Sequence, residues 1–170
     1  MFKLLGVHVD NKLKWGCHID YICAKASSRL YCLKQFKKCS TSIDDMLHFY
    51  ITIIRPVLEY ACPVWHSSLT KEQSNRIESI QKRVIFILCG PGVNYDEQCV
   101  QFKLCSLYER RCELCMRFFT LKVLPDTSCL HYLLPERRDA NVIDRLRMAK
   151  SFYSRRVHTN RFRNSFINYA

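Results

Sequence analysis

Glycine and proline are scarce, with four and five positions in 170 residues. So few chain-reversing residues exclude a sandwich or barrel of many short strands and favour a compact, largely helical chain. Long apolar runs are missing as well. The best candidate, "YITIIRPVLEYACPVW", is broken by Arg55, Pro56, Glu59 and Pro63, and a bilayer-crossing helix needs about 18 apolar residues in succession. Nor does the chain open on a charged n-region followed by an apolar h-region. Its eleven cysteines are therefore expected as reduced thiols, in a nuclear or cytoplasmic protein that is not secreted. Acidic side chains are in deficit, 15 against 27 basic ones, for a formal net charge of +12. Such a field attracts polyanions, nucleic acid or an acidic membrane surface.

What is present supports a real core, since 48% of the residues are hydrophobic. The positive charge is concentrated at the ends: residues 1–40 carry eight basic and two acidic side chains, and residues 137–163 carry nine and two. The middle is close to neutral.

The opening stretch "FKLLGVHVDNKLKW" reads as two short strands around a tight turn. An isolated hairpin is marginal in water, so a missing neighbour is expected. "HIDYICAKASSRLYCLKQFKK" then places Ile19, Ile22, Cys23, Ala26, Leu30 and Leu33 at three- and four-residue spacing, an amphipathic helix with Lys25 and Arg29 one turn apart on its wet side. Ser42 and Asp45 form a capping box for a second helix, "IDDMLHFYITII", apolar almost all round and expected to be central. Pro56 ends or kinks it. "VLEYACPVWHSSLT" reads as an irregular connector in which Tyr60 and Trp65 are expected in the core rather than stacked on a ligand.

Thr70 and Gln73 cap a third helix, "KEQSNRIESIQKRVIFILCG", whose Ile77, Ile80, Val84 and Ile87 share a face. Glu72 with Arg76 and Glu78 with Lys82 have ion-pair spacing on it, and Arg76, Ser79 and Arg83 form an outer stripe. A short helix is expected to end near Leu104, and Ser106 with Glu109 caps another that runs to Pro125. Beyond lies a looser stretch and a tail, "RRVHTNRFRNSF", where Arg155, Arg156, Arg161 and Arg163 interleave with His158, Phe162 and Phe166. That composition suits phosphate contacts combined with base stacking. The expected division is 1–16 hairpin, 17–124 helical domain, and 125–170 connector and basic C-terminal segment.

Three stretches carry a family resemblance: "FKLLGVHVDNKLKWGCHIDYICAKASSRLY", "FYITIIRPVLEYACPVWHSSLTKEQSNRIESIQKRV" and "RFRNSFINYA". Together they resemble the region downstream of the catalytic palm in reverse transcriptases of non-LTR (LINE-type) retrotransposons. The family pattern has a Leu-Gly element in the primer grip, matched by Leu5 and Gly6. A Trp followed by His-Ile opens the first thumb helix, matched by Trp15, His18 and Ile19. An Arg-Pro-x-Leu-Glu-Tyr-x-x-Pro-x-Trp block is matched by Arg55, Pro56, Leu58, Glu59, Tyr60, Pro63 and Trp65. The resemblance implies a mainly α fold, a thumb-like helical bundle entered through an N-terminal β-hairpin, with a basic C-terminal extension. It implies an RNA template and a DNA primer as partners, held through non-specific backbone contacts, together with the palm and fingers domains. Lys25, Arg29, Arg76, Arg83 and the four tail arginines are the candidate contacts.

The family's polymerase centre, an aromatic-x-Asp-Asp turn with a further Asp holding Mg²⁺, has no counterpart here. Asp44-Asp45 is the chain's Asp-Asp pair, but Ser42 stands where the aromatic belongs, and helix capping accounts for the acids. The chain alone is therefore expected to be non-catalytic and to need no cofactor, and Met1 within the primer-grip motif makes it look like a fragment. Two other readings stay open. One is a structural or protein-interaction remnant that does not bind nucleic acid. The other is a zinc-dependent binding module built on Cys112, Cys115, Cys129 and His131, whose C-x-H end is tight for a zinc pair.

Overall fold

The computed structural model describes residues 1–139, 145, 152–153, 156, 158–159, 163 and 165–169. The chain is mainly helical, and it divides into two compact units, Met1–Cys112 and Glu113–Ala170. That division falls within the helix Leu107–Phe118 rather than at Pro125.

The first unit opens with strands β1 (Phe2–Leu4) and β2 (Val7–Val9), antiparallel in the register Phe2↔Val9, Lys3↔His8 and Leu4↔Val7. Leu5 (φ 45°) and Gly6 (φ 85°) form the link. Two left-handed central residues give the turn whose twist matches paired strands. The two strands form the whole sheet among the described residues.

Helix α1 (Gly16–Lys38) buries His18, Ile19, Ile22, Ala26, Leu30 and Leu33. The expected stripe is there, with two changes: Cys23 is only half-buried, and His18 takes an interior place. Each aliphatic side chain fully buried in this way contributes roughly 1.5–3 kcal/mol. Helix α2 (Ile43–Phe49) starts at Ser42, whose hydroxyl accepts from the Asp45 N–H. It runs on through a π-helical turn (Tyr50–Ile54) into α3 (Arg55–Glu59). All-round burial does not occur. Met46, Tyr50, Ile54 and Leu58, at four-residue spacing, face inward, while Ile53 is exposed. The wide turn sits just before Pro56, which has no N–H to continue an α-helical ladder; there the Arg55 N–H reaches back five residues to the Tyr50 carbonyl.

The expected irregular connector contains α4 (Cys62–Trp65) and a 3₁₀ turn (His66–Ser68), entered through Ala61 at φ 53°. Helix α5 (Lys71–Cys89) begins with the full Thr70–Gln73 capping box, and Gly90 at φ 91° ends it. Its C-terminal carbonyl at Leu88 accepts from Lys37 Nζ at 2.7 Å, a cation at the negative helix pole. Helix α6 (Tyr95–Gln101) and helix α7 (Leu107–Phe118) follow, the latter capped reciprocally by Ser106 and Glu109.

The interior of this unit is built chiefly by α1 on α5. A buried polar chain crosses it: Tyr50 O–H donates to Gln81 Oε1, Gln81 Nε2 donates to the Tyr95 hydroxyl (2.9 Å) and the Cys105 carbonyl (3.0 Å), and Tyr95 O–H donates to Glu78. Burial, reinforced for Tyr95 by Glu78, holds both phenols well above their ordinary range, so both remain donors.

In the second unit a π-helical turn (Phe119–Val123) leads to Pro125, and a 3₁₀ turn (His131–Leu133) follows. Asp126 pairs with Arg137 at 2.8 Å and approaches His131 at 3.3 Å. An isolated antiparallel bridge joins Arg137 to Phe152. A short helix, α8 (Phe166–Tyr169), sets Phe166 against Phe118 and Phe119, with ring centroids 5.9 and 6.2 Å apart. All eleven cysteines are free thiols. Among the described residues no helix is long and apolar enough to cross a membrane.

Candidate nucleic-acid interface

The hairpin's two strands have opposite environments. Val7 on β2 is buried, whereas every β1 residue is exposed, Phe2 at 58% and Leu4 at 57%. β2 docks on α1 through histidines. The His8 backbone N–H donates to His18 Nδ1 at 3.4 Å, and the His8 ring lies 4.6 Å from that of Tyr21. His18 is also in contact with Trp15 and Trp65. Burial, with His8 adding to it, pushes the His18 imidazole down to about 4, so it is neutral at pH 7 and keeps its proton on Nε2.

Tyr60 locks the turn. Its hydroxyl donates to the Leu5 carbonyl at 2.9 Å, and its ring edge lies where a Cβ on Gly6 would come within 3.3 Å. Glycine is thus required twice at position 6, for positive φ and for this close approach. The Tyr60 carbonyl in turn accepts from the fully buried Trp65 Nε1 at 3.1 Å. Trp65 is core as expected, but Tyr60 is 54% exposed and belongs to the surface. Arg55 and Glu59 pair across one turn (3.4 Å), and Glu59 also meets Arg110 (3.3 Å). The Arg-Pro-x-Leu-Glu-Tyr block is therefore the joint that holds the hairpin to the bundle.

Between hairpin and bundle lies a cleft of about 250 Å³ lined by Lys3, Gly6, Tyr21, Lys25, Val57 and Tyr60 among others. Both ammonium groups flank the Tyr21 ring, Lys3 Nζ at 4.9 Å and Lys25 Nζ at 5.9 Å from its centroid. Two cations beside exposed aromatic surface are suited to a sugar–phosphate backbone with an unstacked base. Of these, the sequence points to Lys25 and Gly6 as contacts and places Tyr60 in the core. Lys3, Tyr21 and Tyr60 join them because the hairpin folds back on α1.

The other candidate cations divide. Arg29 is half-buried and donates to the Ile53 carbonyl in the turn before Pro56, so it serves the fold rather than a wet face. Arg76 pairs with Asp20 across the α1–α5 contact, not with Glu72. Arg83 is exposed, and no protein group among the described residues engages it. Lys82 lies 5.2 Å from the Tyr95 ring centroid instead of pairing with Glu78. In the tail Arg156 and Arg163 are exposed, while Arg155 and Arg161 lie outside the described residues. Phe166, expected as a stacking residue, packs on Phe118 and Phe119.

The remaining cysteine–histidine candidates are dispersed. Cys112 Sγ lies 3.3 Å from His66 Nε2, and His131 is next to the Leu124 carbonyl and Asp126. Among the described residues no three Cys, His, Asp or Glu side chains come together as a metal site. The His66 contact belongs to a cluster the sequence did not signal: Arg111, fully buried, donates to His66 Nδ1 (3.3 Å) and Ser74 Oγ (2.9 Å). Burial first, and this guanidinium second, lower the His66 imidazole to about 4.

No family model matches the chain, and neither a curated protein nor a solved structure is detectably similar to it.

Proposed function

We propose that this chain is the template–primer-holding part of a retrotransposon RNA-directed DNA polymerase, combining a primer-grip-like hairpin, with Leu5 and Gly6 at its turn, and a thumb-like bundle. The observation that carries the reading is the cleft where Lys3 and Lys25 flank Tyr21 beside the hairpin turn. In the sequence resemblance the Leu-Gly element belongs to the primer grip and Trp15, His18 and Ile19 open the first thumb helix, and the cleft lies where the hairpin meets that helix. Arg83 in the first unit and Arg156 and Arg163 in the second are exposed cations offered as further backbone contacts. The exposed apolar residues of β1 suit a packing face for the palm. On this reading the polymerase centre belongs to the palm, and this chain binds backbone rather than sequence.

The test is binding of a labelled RNA–DNA hybrid across a salt series. The log–log slope should be clearly negative, and the double variant K3E/K25E should flatten it by about two phosphate contacts. A slope near zero for the wild-type chain sinks the reading in favour of a protein-interaction role. Template-directed extension by this chain with Mg²⁺ would overturn the assignment as non-catalytic.

A further inference from the structure

A second and larger cavity, of about 620 Å³, opens on the opposite set of α5 residues from those that meet α1, between α5 and the starts of α6 and α7. That volume is in the range of pockets that enclose small-molecule ligands. The lining is bipolar. Lys71, Ser74 and Asn75 form one end, one turn apart on α5. Ser74 Oγ accepts from the buried Arg111 Nη2, which leaves the serine O–H to donate outward. This end is rich in donors and positive in potential.

The other end is formed by Glu78 and Asp96, with Lys82 one turn further along α5. Glu78 Oε1 accepts from Tyr95 O–H and from the Leu107 N–H at 3.3 Å. Oε2 has no donor among the described residues. The carboxylate is thus fixed in place with one oxygen still available. Lys71 and Glu78 are separated by roughly 10 Å along α5, at 1.5 Å per residue. The Tyr108 ring, half exposed and 5.3 Å from the His66 ring, lines the same space, and Lys82 lies over Tyr95.

A ligand that fits carries an anion at one end, a flat ring in the middle, and hydrogen-bond donors at the far edge. We propose that this cavity binds a guanine-type nucleotide, with the phosphate on Lys71, Ser74 and Asn75, the base against Tyr108, and the base's N–H donors on Glu78 and Asp96. Adenine presents an acceptor at ring N1 where guanine presents N1–H, so the acidic end discriminates between them. The site takes the free nucleotide and does not depend on the template–primer reading.

Calorimetry and amide NMR shifts on the full chain, with guanosine monophosphate as the probe, test this. Expected are saturable binding with shifts at Ser74, Asn75, Glu78 and Tyr95, and at least fivefold weaker binding of adenosine monophosphate. K71A should weaken guanosine monophosphate at least fivefold and leave guanosine unchanged; as an exposed lysine it leaves the fold intact. E78Q should erase the preference for guanine over adenine, and the two-ligand comparison on wild type carries the same point if that variant is unstable. No saturable binding, equal binding of both nucleotides, equal affinity for inorganic phosphate alone, shifts confined to the Lys3–Lys25 cleft, or an unaffected K71A would each overturn the site.

Discussion

Strand β1 and helix α5 are opposites in how they are held. α5 has a capping box at its start, a glycine and a lysine at its end, and an inward stripe of Ile77, Ile80, Val84, Ile85 and Leu88 that is buried throughout. β1 has three cross-strand partners and no buried side chain. The helix is stabilised by this chain's own interior. The strand is held through its turn, through β2 and by Lys3 beside the Tyr21 ring, so changes at its exposed Phe2 and Leu4 act on whatever packs outside rather than on the fold.

Breaking the interior should have the largest effect. Trp65→Ala removes a fully buried ring and the donor to the Tyr60 carbonyl, and should cost about 3–5 kcal/mol in denaturant unfolding. It should also loosen the hairpin, seen as faster amide exchange at residues 2–9.

Acid should come next, and it distinguishes the two regions. His18 sits under the hairpin and His66 beside Arg111, each lowered to about 4 from an ordinary 6.5. The unfolded chain takes up these protons first as pH falls, so stability declines between about pH 6.5 and 4 and levels off below. The limit is about 3 kcal/mol for each imidazole. Stability that is flat over this window would mean that neither ring is held neutral. His18→Phe should remove about half of the slope and His66→Phe the other half.

Gly6→Ala should have a smaller effect, about 1–2 kcal/mol from the positive φ and the Tyr60 contact. The loss should appear as local hairpin opening, with the helical melt almost unmoved. A Leu4→Ser control on exposed β1 should change stability by less than about 0.5 kcal/mol.

Much of this architecture was legible in the residue order. The hairpin, the α1 stripe and the caps at Ser42, Thr70 and Ser106 are written in short-range patterns, because periodicity and capping involve residues within a turn or two of each other. The one-sided burial of α2 was not legible, since its apolar outer residues resemble its inner ones. The cleft was only half legible: Lys25 lies on a readable helix, but Lys3 and Tyr60 reach it across tens of residues. Arg29 and Arg76 show the same limit from the other side. An arginine on an outer face looks alike whether it meets a phosphate, the Ile53 carbonyl or Asp20. The Arg111–His66–Ser74 cluster joins positions 37 and 45 residues apart, and no local pattern announces it.

Tyr60 touches the hairpin with its hydroxyl and the interior with its carbonyl. The aim of the first nine residues is therefore stored 55 positions beyond their turn. A graft of the opening segment onto another scaffold would carry its strands without their bearing, and a chimera that also takes residues 55–65 would carry both.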